Sequence, residues 1–399
     1  MKKSVQDIDL KSNIWKMYIF SFISSLHFTG GVLIPFFTEW GKISFFQVMI
    51  LQSFFIICVF LLETPTGAVA DKYGRKVSVG LGILSTMIGA IIYVIYPSFY
   101  LFLLAEFMWA IGSALISGAD ESLIYDSLRA NKNEKKSKKV FGRISACKLA
   151  GYMVAAPIGS LIAVYLGIQY AMLLIAIPLF LAFLIILSVK EPNIGRKKAE
   201  NRSYFETIKQ GWKFFGNHKI LKILAFDGAV TGALAFFIIW VYQYKLQALN
   251  VPIAHFGFIH LVLVAGQILV LNSFSFFERI SGGKKKYILL SAIIPGLLFI
   301  LLGLTLNVYI AILSIILIAA FGLTRKTLFS SYMHKFIPSD KRAVVISTIA
   351  MISSFTMAVN NLVTGFLVKW NLKYGLVILG LFIVVFSLVS RVKEEHLRD

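Results

Sequence analysis

Acidic side chains inside long apolar runs are the residues of this sequence with the clearest chemical potential. Glu63, Glu106 and Asp227 each lie within such a run. A carboxyl group in a cavity of low dielectric binds a proton more readily than one in water, unless a nearby cation offsets the burial. We therefore interpret these three acids as candidates for binding and releasing protons near neutral pH.

Glu106 begins a row of polar side chains. At 100° per residue, Glu106, Ser113, Ser117 and Asp120 fall within about 60° of one another on a helix. Ionisable groups are costly in hydrocarbon, so this stripe should face protein or water rather than lipid. We expect it to carry water and protons towards the cytoplasmic end of the site.

A lysine in the fifth apolar run bears on which acid exchanges protons. Lys148 has Glu63 and Asp120 as candidate partners. If Lys148 neighbours Glu63, that paired acid stays ionised and structural, which leaves Glu106 as the exchangeable site. Lys148 itself either neutralises such an acid or contacts a ligand directly.

Other polar and aromatic side chains in the runs are candidate contacts for a bound solute. They are His27, Trp109, Ser113, Ser117, Lys148, Trp240, His260 and Asn360, with Asn361 beside the last. Buried histidines also serve as hydrogen-bonded packing groups, and aromatic side chains also suit lipid contact. Asp227 is equally suited to a cavity and to a salt bridge that acts as a gate.

Twelve apolar runs carry these residues. A hydrophobic content of 58% with 15% charged residues is unlike that of a soluble globule. About twenty apolar residues cross a bilayer as a helix. The runs cover residues 14–36, 44–70, 77–96, 99–122, 140–166, 168–189, 219–244, 253–277, 287–305, 308–328, 343–368 and 374–390. The first run ends in "PFFTEW" rather than in a small-residue cleavage site, so we interpret it as a retained helix and not as a signal peptide.

The distribution of basic residues points to a membrane and not to nucleic acid. The chain carries a net charge of +21. Twelve spans with the N-terminus inside place 35 of the 40 Lys and Arg residues in cytoplasmic segments or at the cytoplasmic ends of the runs, and four outside. This asymmetry follows the positive-inside rule and predicts that both termini are cytoplasmic. No nucleic-acid partner is expected.

Ionisable residues are also unevenly shared among the spans. Runs three, six, nine and twelve contain no Asp, Glu, Lys, Arg or His. A charged side chain facing hydrocarbon costs about 3 kcal/mol on insertion scales. We therefore expect these four spans to face lipid while the others enclose a cavity.

The longest polar interval, residues 190–218, divides the chain into two halves. We predict an N-terminal six-helix bundle over residues 1–189, a cytoplasmic central loop over 190–218 and a C-terminal six-helix bundle over 219–399. The loop "ERISGGKKK" lies between spans eight and nine, where "DKYGRK" lies between spans two and three. That correspondence is the one a duplication of six spans requires.

Catalytic signatures are missing from the sequence. It contains no phosphate-binding G-x-x-x-x-G-K-[ST] loop, no nucleophile elbow and no His/Cys cluster with metal-ligand spacing. Its two cysteines, Cys58 and Cys147, both lie in predicted spans. We expect neither an enzyme, a cofactor nor a metal site, and any uphill process must draw on an ion gradient.

The stretch "ETPTGAVADKYGRKVSVG" joins spans two and three. Gly67, Asp71, Gly74, Arg75 and Lys76 fill the fixed positions of G-x-x-x-D-x-x-G-R-[KR]. This pattern resembles the cytoplasmic loop motif of the major facilitator superfamily. The prefix "ETPTG" and the segment "SGADESLIYDSL" are also similar to those of the bacterial drug:proton antiporter branch. The resemblance implies an all-α membrane protein of twelve transmembrane helices in two pseudo-symmetric six-helix bundles.

In that family the loop latches the two halves on the cytoplasmic face. Gly74 permits a tight turn, and Asp71 can accept hydrogen bonds from a neighbouring helix N-terminus. We predict that Asp126, at the end of span four, is the partner of Arg75. Alternatively, Arg75 and Lys76 are ordinary topology-setting residues.

Two further segments depart from the family pattern. Span five carries "GYMVAAPIGS", which resembles the antiporter motif G-x-x-x-G-P-x-x-G-G but keeps only Pro157 at its fixed position, with Gly159 one residue before the motif glycine that Ser160 replaces. We expect Gly151, Pro157 and Gly159 to form a helix-packing surface. Span four carries "EFMWAIG", which places Glu106 where many drug exporters have arginine.

These features together predict a proton-coupled exporter in the plasma membrane of a bacterial cell. Its substrates would be amphipathic drugs or small metabolites, with cations slightly favoured, and we expect a monomer. The alternatives are an importer or facilitator with the same fold, and a receptor or scaffold that no longer moves solute.

Overall fold

The computed structural model describes residues 5–192, 204–338 and 341–397. Regular structure within these ranges is entirely helical, without a strand. The all-α prediction is therefore confirmed. The predicted central loop falls partly outside the described residues, because 193–203 are not among them.

Nine α-helices lie in residues 5–192 and ten lie in residues 204–338 and 341–397, and the first of these ten falls within the predicted central loop 190–218. The first group comprises α1 (Val5–Ile23), α2 (Leu33–Pro35), α3 (Phe45–Tyr73), α4 (Arg75–Ile95), α5 (Phe99–Ile116), α6 (Ala119–Ala130), α7 (Ser137–Tyr165), α8 (Ile168–Leu173) and α9 (Ala176–Ser188). The second comprises α10 (Tyr204–Asn217), α11 (Lys219–Phe236), α12 (Ile238–Ala248), α13 (Phe256–Asn272), α14 (Phe274–Ile280), α15 (Lys284–Leu304), α16 (Val308–Gly322), α17 (Arg325–Met333), α18 (Arg342–Trp370) and α19 (Leu372–Leu388).

Long apolar helices dominate the fold. Ten helices of the described part are long and apolar enough to cross a membrane, and α19 is a shorter apolar helix. The four spans without ionisable residues correspond to α4, α8 with α9, α15 and α19. Each presents exposed apolar side chains, such as Phe180 and Leu184 on α9. Such surfaces are stable in hydrocarbon and not in water.

The chain forms two compact units. Unit 1 contains Met1–Ile43, Phe54–Ala199 and Ile253–Leu261, and unit 2 contains Ser44–Ser53, Glu200–Pro252 and Val262–Asp399. Two short segments lie in a different unit from their neighbours in the sequence. The start of α3 groups with unit 2, and the segment that leads into α13 groups with unit 1.

The first span is interrupted in its middle. Helix α1 ends at Ile23, and regular helix resumes only at Leu33. Packing against α7 holds this irregular segment in place. A Cβ added to Gly151 would lie 2.6 Å from the carbonyl oxygen of Phe22, and one added to Gly159 would overlap that of Phe28. Both predicted packing glycines thus allow the backbone of span one to approach α7 closely.

The fourth span is also interrupted. Helix α5 ends at Ile116, and α6 begins at Ala119 after Gly118, whose φ of 71° is the left-handed conformation that glycine adopts most readily. The interruption places Asp120 and Glu121 in the first turn of α6. Broken helices at membrane depth are tolerated where they line a cavity, and both breaks in unit 1 do so.

Candidate functional site

Unit 1 contains a cavity of about 540 Å³ at the breaks of spans one and four. Its wall includes five of the eight predicted solute contacts, namely His27, Trp109, Ser113, Ser117 and Lys148. The volume is in the range that holds a small organic molecule.

Aromatic rings form one wall of this cavity. The His27 ring lies 5.8 Å from the Trp109 ring and 5.9 Å from the Tyr152 ring, in edge-to-face arrangements. His27 Nε2 is 3.1 Å from the carbonyl oxygen of Ser24, and Trp109 Nε1 donates to that of Thr86 at 2.9 Å. These bonds fix the polar atoms of His27 and Trp109 at the backbone, so their ring surfaces remain for apolar contact.

The other end of the cavity is charged. Lys148 Nζ lies 3.2 Å from Asp120 Oδ2, and Asp120 Oδ1 accepts the backbone N–H of Glu121 at 2.8 Å. The Lys148 side chain is 41% exposed, whereas that of Asp120 is 9% exposed. Two acids and one base line this end, which leaves one negative charge without a lysine partner. This end of the cavity therefore carries more acidic than basic side chains.

Lys148 is not paired with Glu63, although the preference for Glu106 over Glu63 as the proton site was based on such a pair. Lys148 contacts Asp120, because the turn at Gly118 brings the start of α6 beside α7. Glu63 is an exposed residue of α3. The argument that a Lys148–Glu63 pair makes Glu63 structural therefore has no geometric basis.

Glu106 lies behind the aromatic wall and does not line the cavity. It is 3% exposed, and its carboxyl group is hydrogen-bonded by the side chain of Tyr93. The Tyr93 ring is 5.4 Å from that of Trp109, which does line the cavity. Of the predicted stripe, the cavity exposes Ser113, Ser117 and Asp120, and Glu106 reaches it only through neighbouring rings.

Asp227 belongs to a hydrogen-bonded network in unit 2 that lines a smaller cavity of about 150 Å³. Its Oδ1 is 3.3 Å from Arg325 Nη2, and its Oδ2 accepts the hydroxyl of Ser390 at 2.5 Å. Arg325 is 1% exposed and also donates to the side chains of Thr231 and Ser291. A buried acid with a guanidinium partner is neutralised in place, which fits a structural salt bridge.

Arg325 was missed by the sequence reasoning. Arg325 lies beside Lys326 near the cytoplasmic end of the tenth apolar run, where basic residues are expected from the positive-inside rule, so the sequence did not set it apart.

Three predicted solute contacts lie away from the unit 1 cavity. Asn360 Nδ2 donates to the carbonyl oxygen of Ala233 at 3.0 Å within unit 2. Trp240 also belongs to unit 2, on α12. His260 lies in unit 1, with its Nε2 3.6 Å from where a Cβ on Gly30 would be, and it does not line the cavity.

The loop between α3 and α4 is held by side-chain contacts within unit 1. Gly74 has a φ of 106° and precedes α4 directly. Arg75 contacts the carboxylate of Asp126 and donates to the carbonyl oxygen of Ser122 at 2.9 Å. The partner expected for Arg75 is therefore in place, while its action as a gate stays a prediction.

Glu191 takes the role at the helix N-terminus that was assigned to Asp71. Its two carboxylate oxygens accept the backbone N–H groups of Arg75 at 2.9 Å and Lys76 at 2.8 Å. Asp71 and Gly67 are exposed, and Asp71 forms no hydrogen bond with the described residues. A carboxylate at this position satisfies free N–H groups and complements the helix dipole.

The corresponding loop of unit 2 has the same construction. Gly283, with a φ of 136°, precedes α15, and the N–H of Lys285 donates to Glu394 Oε2 at 3.0 Å. Both carboxylates lie in a Val-Lys-Glu sequence, at 189–191 after span six and at 392–394 after span twelve. This repeat would have located Glu191, and it supports the internal duplication.

Comparison with known proteins identifies the class to which this fold and cavity belong. The family described as Major Facilitator Superfamily matches residues 17–361, so the chain belongs to that family. It is a multi-pass membrane transporter of this type.

One relative and two solved structures illustrate the similarity. The "Uncharacterized MFS-type transporter YxaM" of Bacillus subtilis (strain 168) is 20% identical over 368 residues, which cover 89% of this chain and 90% of the relative. The crystal structure of the nucleoside transporter NupG has a TM-score of 0.79 at 16% identity, over 96% of this chain and 100% of the other. A bacterial homologue of the human lysosomal transporter Spinster has a TM-score of 0.75 at 16% identity, over the whole of both chains.

Proposed function

We propose that the protein exports small amphipathic organic cations, drugs or metabolites, in exchange for protons. The observation that carries this proposal is the unit 1 cavity, in which an aromatic wall faces a charged end with an excess of acid. A flat cation binds the rings through its apolar surface and the acids through its charge.

The charged end also provides a way to release the solute. Lys148 holds Asp120 only at one carboxylate oxygen and is itself substantially exposed. A cationic solute competes with Lys148 for Asp120 and is displaced when that ion pair forms again. Glu121, in the same turn, adds the second acid.

Glu106 is the proposed proton site. It is buried within the membrane on the same helix as the cavity serines, and Tyr93 and Trp109 connect it to the solute wall. A solute that shifts Trp109 shifts the neighbours of this carboxyl group and thereby its affinity for a proton. Glu63 is the second candidate, and Asp227 ranks below both because Arg325 compensates its charge.

The loop of Gly67, Asp71, Gly74, Arg75 and Lys76, with Asp126, is the proposed cytoplasmic gate. The exchange of solute and proton then proceeds by alternating access, in which the unit 1 cavity opens to each side of the membrane in turn. We place the protein in a bacterial plasma membrane as a monomer with both termini in the cytoplasm, in accord with its basic loops.

Import of a small solute is the second candidate. The observation that favours it is the departure of span five from the antiporter pattern, where Ser160 stands in place of a glycine. In the structure Ser160 Oγ accepts the backbone N–H of Gly257 at 2.7 Å, so this serine has a packing role of its own.

Uptake into inverted membrane vesicles distinguishes these functions. Vesicles that contain the protein and are acidified inside should accumulate a fluorescent planar cation, and an uncoupler should abolish the accumulation. Trp109→Ala should weaken uptake without altering charge, and vesicles that lack the protein provide the baseline. Accumulation that persists after the uncoupler is added, or that occurs only in right-side-out vesicles, would contradict proton-driven export.

A further inference from the structure

Asn361, on α18 of unit 2, is a buried amide without a hydrogen-bond partner. Its side chain is 1% exposed, and neither its Oδ1 nor its Nδ2 has a partner among the described residues. Its neighbour Asn360 donates to the carbonyl oxygen of Ala233. Two adjacent asparagines in one helix thus differ in whether their amides are satisfied.

The position of Asn361 is a tight helix contact. Ala358 and Gly365 lie three residues before it and four after it, so the three residues share one face of α18. On this face Ser53 Oγ donates to the carbonyl oxygen of Ala358 at 2.9 Å, and a Cβ on Gly365 would lie 2.7 Å from Met49 Cβ. Asn361 is therefore enclosed where α18 packs on the start of α3.

An amide enclosed in this way destabilises the arrangement that encloses it. Removing a carboxamide from water without giving it hydrogen bonds costs free energy, and native structures rarely retain such groups without a reason. The cost disappears in any arrangement in which α3 and α18 separate and water or solute reaches the amide.

Alternating access requires such a separation. The start of α3 packs on α18 within unit 2, whereas α3 continues into unit 1 from Phe54 onwards, so a movement of α3 together with unit 1 breaks this contact. We propose that Asn361 sets the balance of the transport cycle, because its unsatisfied amide raises the free energy of the state in which α3 and α18 are in contact. The inference rests on the proposed transport function.

Two variants of Asn361 test this role against matched variants of Asn360. Asn361→Ala and Asn361→Leu remove the unsatisfied amide, and the alanine avoids overpacking if the leucine prevents folding. Both should raise the apparent Tm by about 2 °C. Asn360→Ala and Asn360→Leu should lower it, because they break the bond to Ala233.

The rate at which a reagent reaches the contact between α3 and α18 reports how often that contact opens, and this measurement needs no solute. In a background of Cys58→Ala and Cys147→Ala, Met49→Cys introduces a thiol at a position that is fully buried here. Its rate of alkylation by a membrane-permeant maleimide measures how often the contact opens. Asn361→Ala should slow alkylation about tenfold, which corresponds to about 1.4 kcal/mol, and Asn360→Ala should not slow it.

Transport provides the third readout. Uptake in the vesicle assay should fall with Asn361→Ala roughly in proportion to the slower alkylation. A lowered Tm, unchanged alkylation, or slower alkylation with unchanged uptake would each overturn the proposal. If the wild-type protein moves no solute that is tested, the Tm and alkylation results still decide the role of Asn361, so failure of the proposed function remains distinguishable.

Discussion

At the scale of single residues, environment separates acids that look alike in the sequence. Asp227 faces the guanidinium of Arg325, Asp120 faces Lys148, and Glu106 is enclosed beside Tyr93. An acid whose charge is compensated by a fixed cation has little reason to take up a proton. This difference supports the proposal that Glu106 exchanges protons and that the acids of the cavity bind the solute.

The first prediction compares Glu106→Gln with Glu63→Gln. Glu106→Gln removes the exchangeable proton but preserves shape, so uptake into inverted vesicles should no longer respond to the proton gradient, while solute binding stays within about threefold. Glu63→Gln should leave the gradient response intact because Glu63 is exposed and does not line the cavity. A gradient response that survives Glu106→Gln and disappears with Glu63→Gln would reverse the assignment.

The second prediction concerns the stability of the network around Arg325. Arg325→Met leaves the Asp227 carboxylate buried without its cation, which should cost about 3 to 5 kcal/mol and lower the Tm markedly. The double variant Arg325→Met with Asp227→Leu removes both charges and should be more stable than the single variant. Thermal unfolding in detergent measures the Tm of both variants. A double variant less stable than Arg325→Met would show that the unpaired Asp227 carboxylate is not the cause of the destabilisation.

At the scale of elements, the structure repeats one device at the start of α4 and of α15. A glycine with positive φ ends the loop, and a carboxylate from behind the sixth or twelfth span caps the helix that follows. The caps leave Asp71 with no structural duty among the described residues, which is the condition that a movable latch requires.

The third prediction contrasts Asp71→Asn with Glu191→Gln. Asp71→Asn should leave the Tm unchanged and reduce uptake at least tenfold, since it removes a latch charge and no packing. Glu191→Gln should lower the stability by about 0.3 to 1 kcal/mol because it removes a charge from a helix N-terminus. Parallel Tm and uptake measurements on both variants test the contrast, and normal uptake by well-expressed Asp71→Asn would reduce the loop to a topology signal.

At the scale of the whole molecule, the length of the apolar runs and the placement of basic residues predicted an all-α membrane protein, and the resemblance of the loop motif implied its arrangement in two bundles. Helix length and charge placement depend on the bilayer, a property that sequence patterns report directly. The helix break at Ser24–Val32 was not predicted, because it depends on packing against Gly151 and Gly159, which are distant in the sequence. The break at Gly118 was not predicted either, and it follows from the left-handed backbone of that glycine. Those breaks decide that Asp120 rather than Glu63 meets Lys148, so the residue types of the site were predictable while their pairing was not.

The fourth prediction tests the membrane orientation on which export depends. An alkaline phosphatase fusion within residues 190–218 should be inactive, and one at Asn250 should be active, because 35 of the 40 basic residues are assigned to the cytoplasmic side. A green fluorescent protein fused at the same two positions should show the opposite pattern. An active phosphatase fused within 190–218 would show that this segment lies outside the cell and that the predicted orientation is wrong.

The coupling of solute to protons is the central claim, and proton release by the purified protein tests it most directly. The full-length protein in weakly buffered detergent should release protons when a planar organic cation is added, and Glu106→Gln should abolish the release while still binding the cation. If the wild-type protein binds the cation and releases no protons, the account of a proton-coupled exporter is wrong.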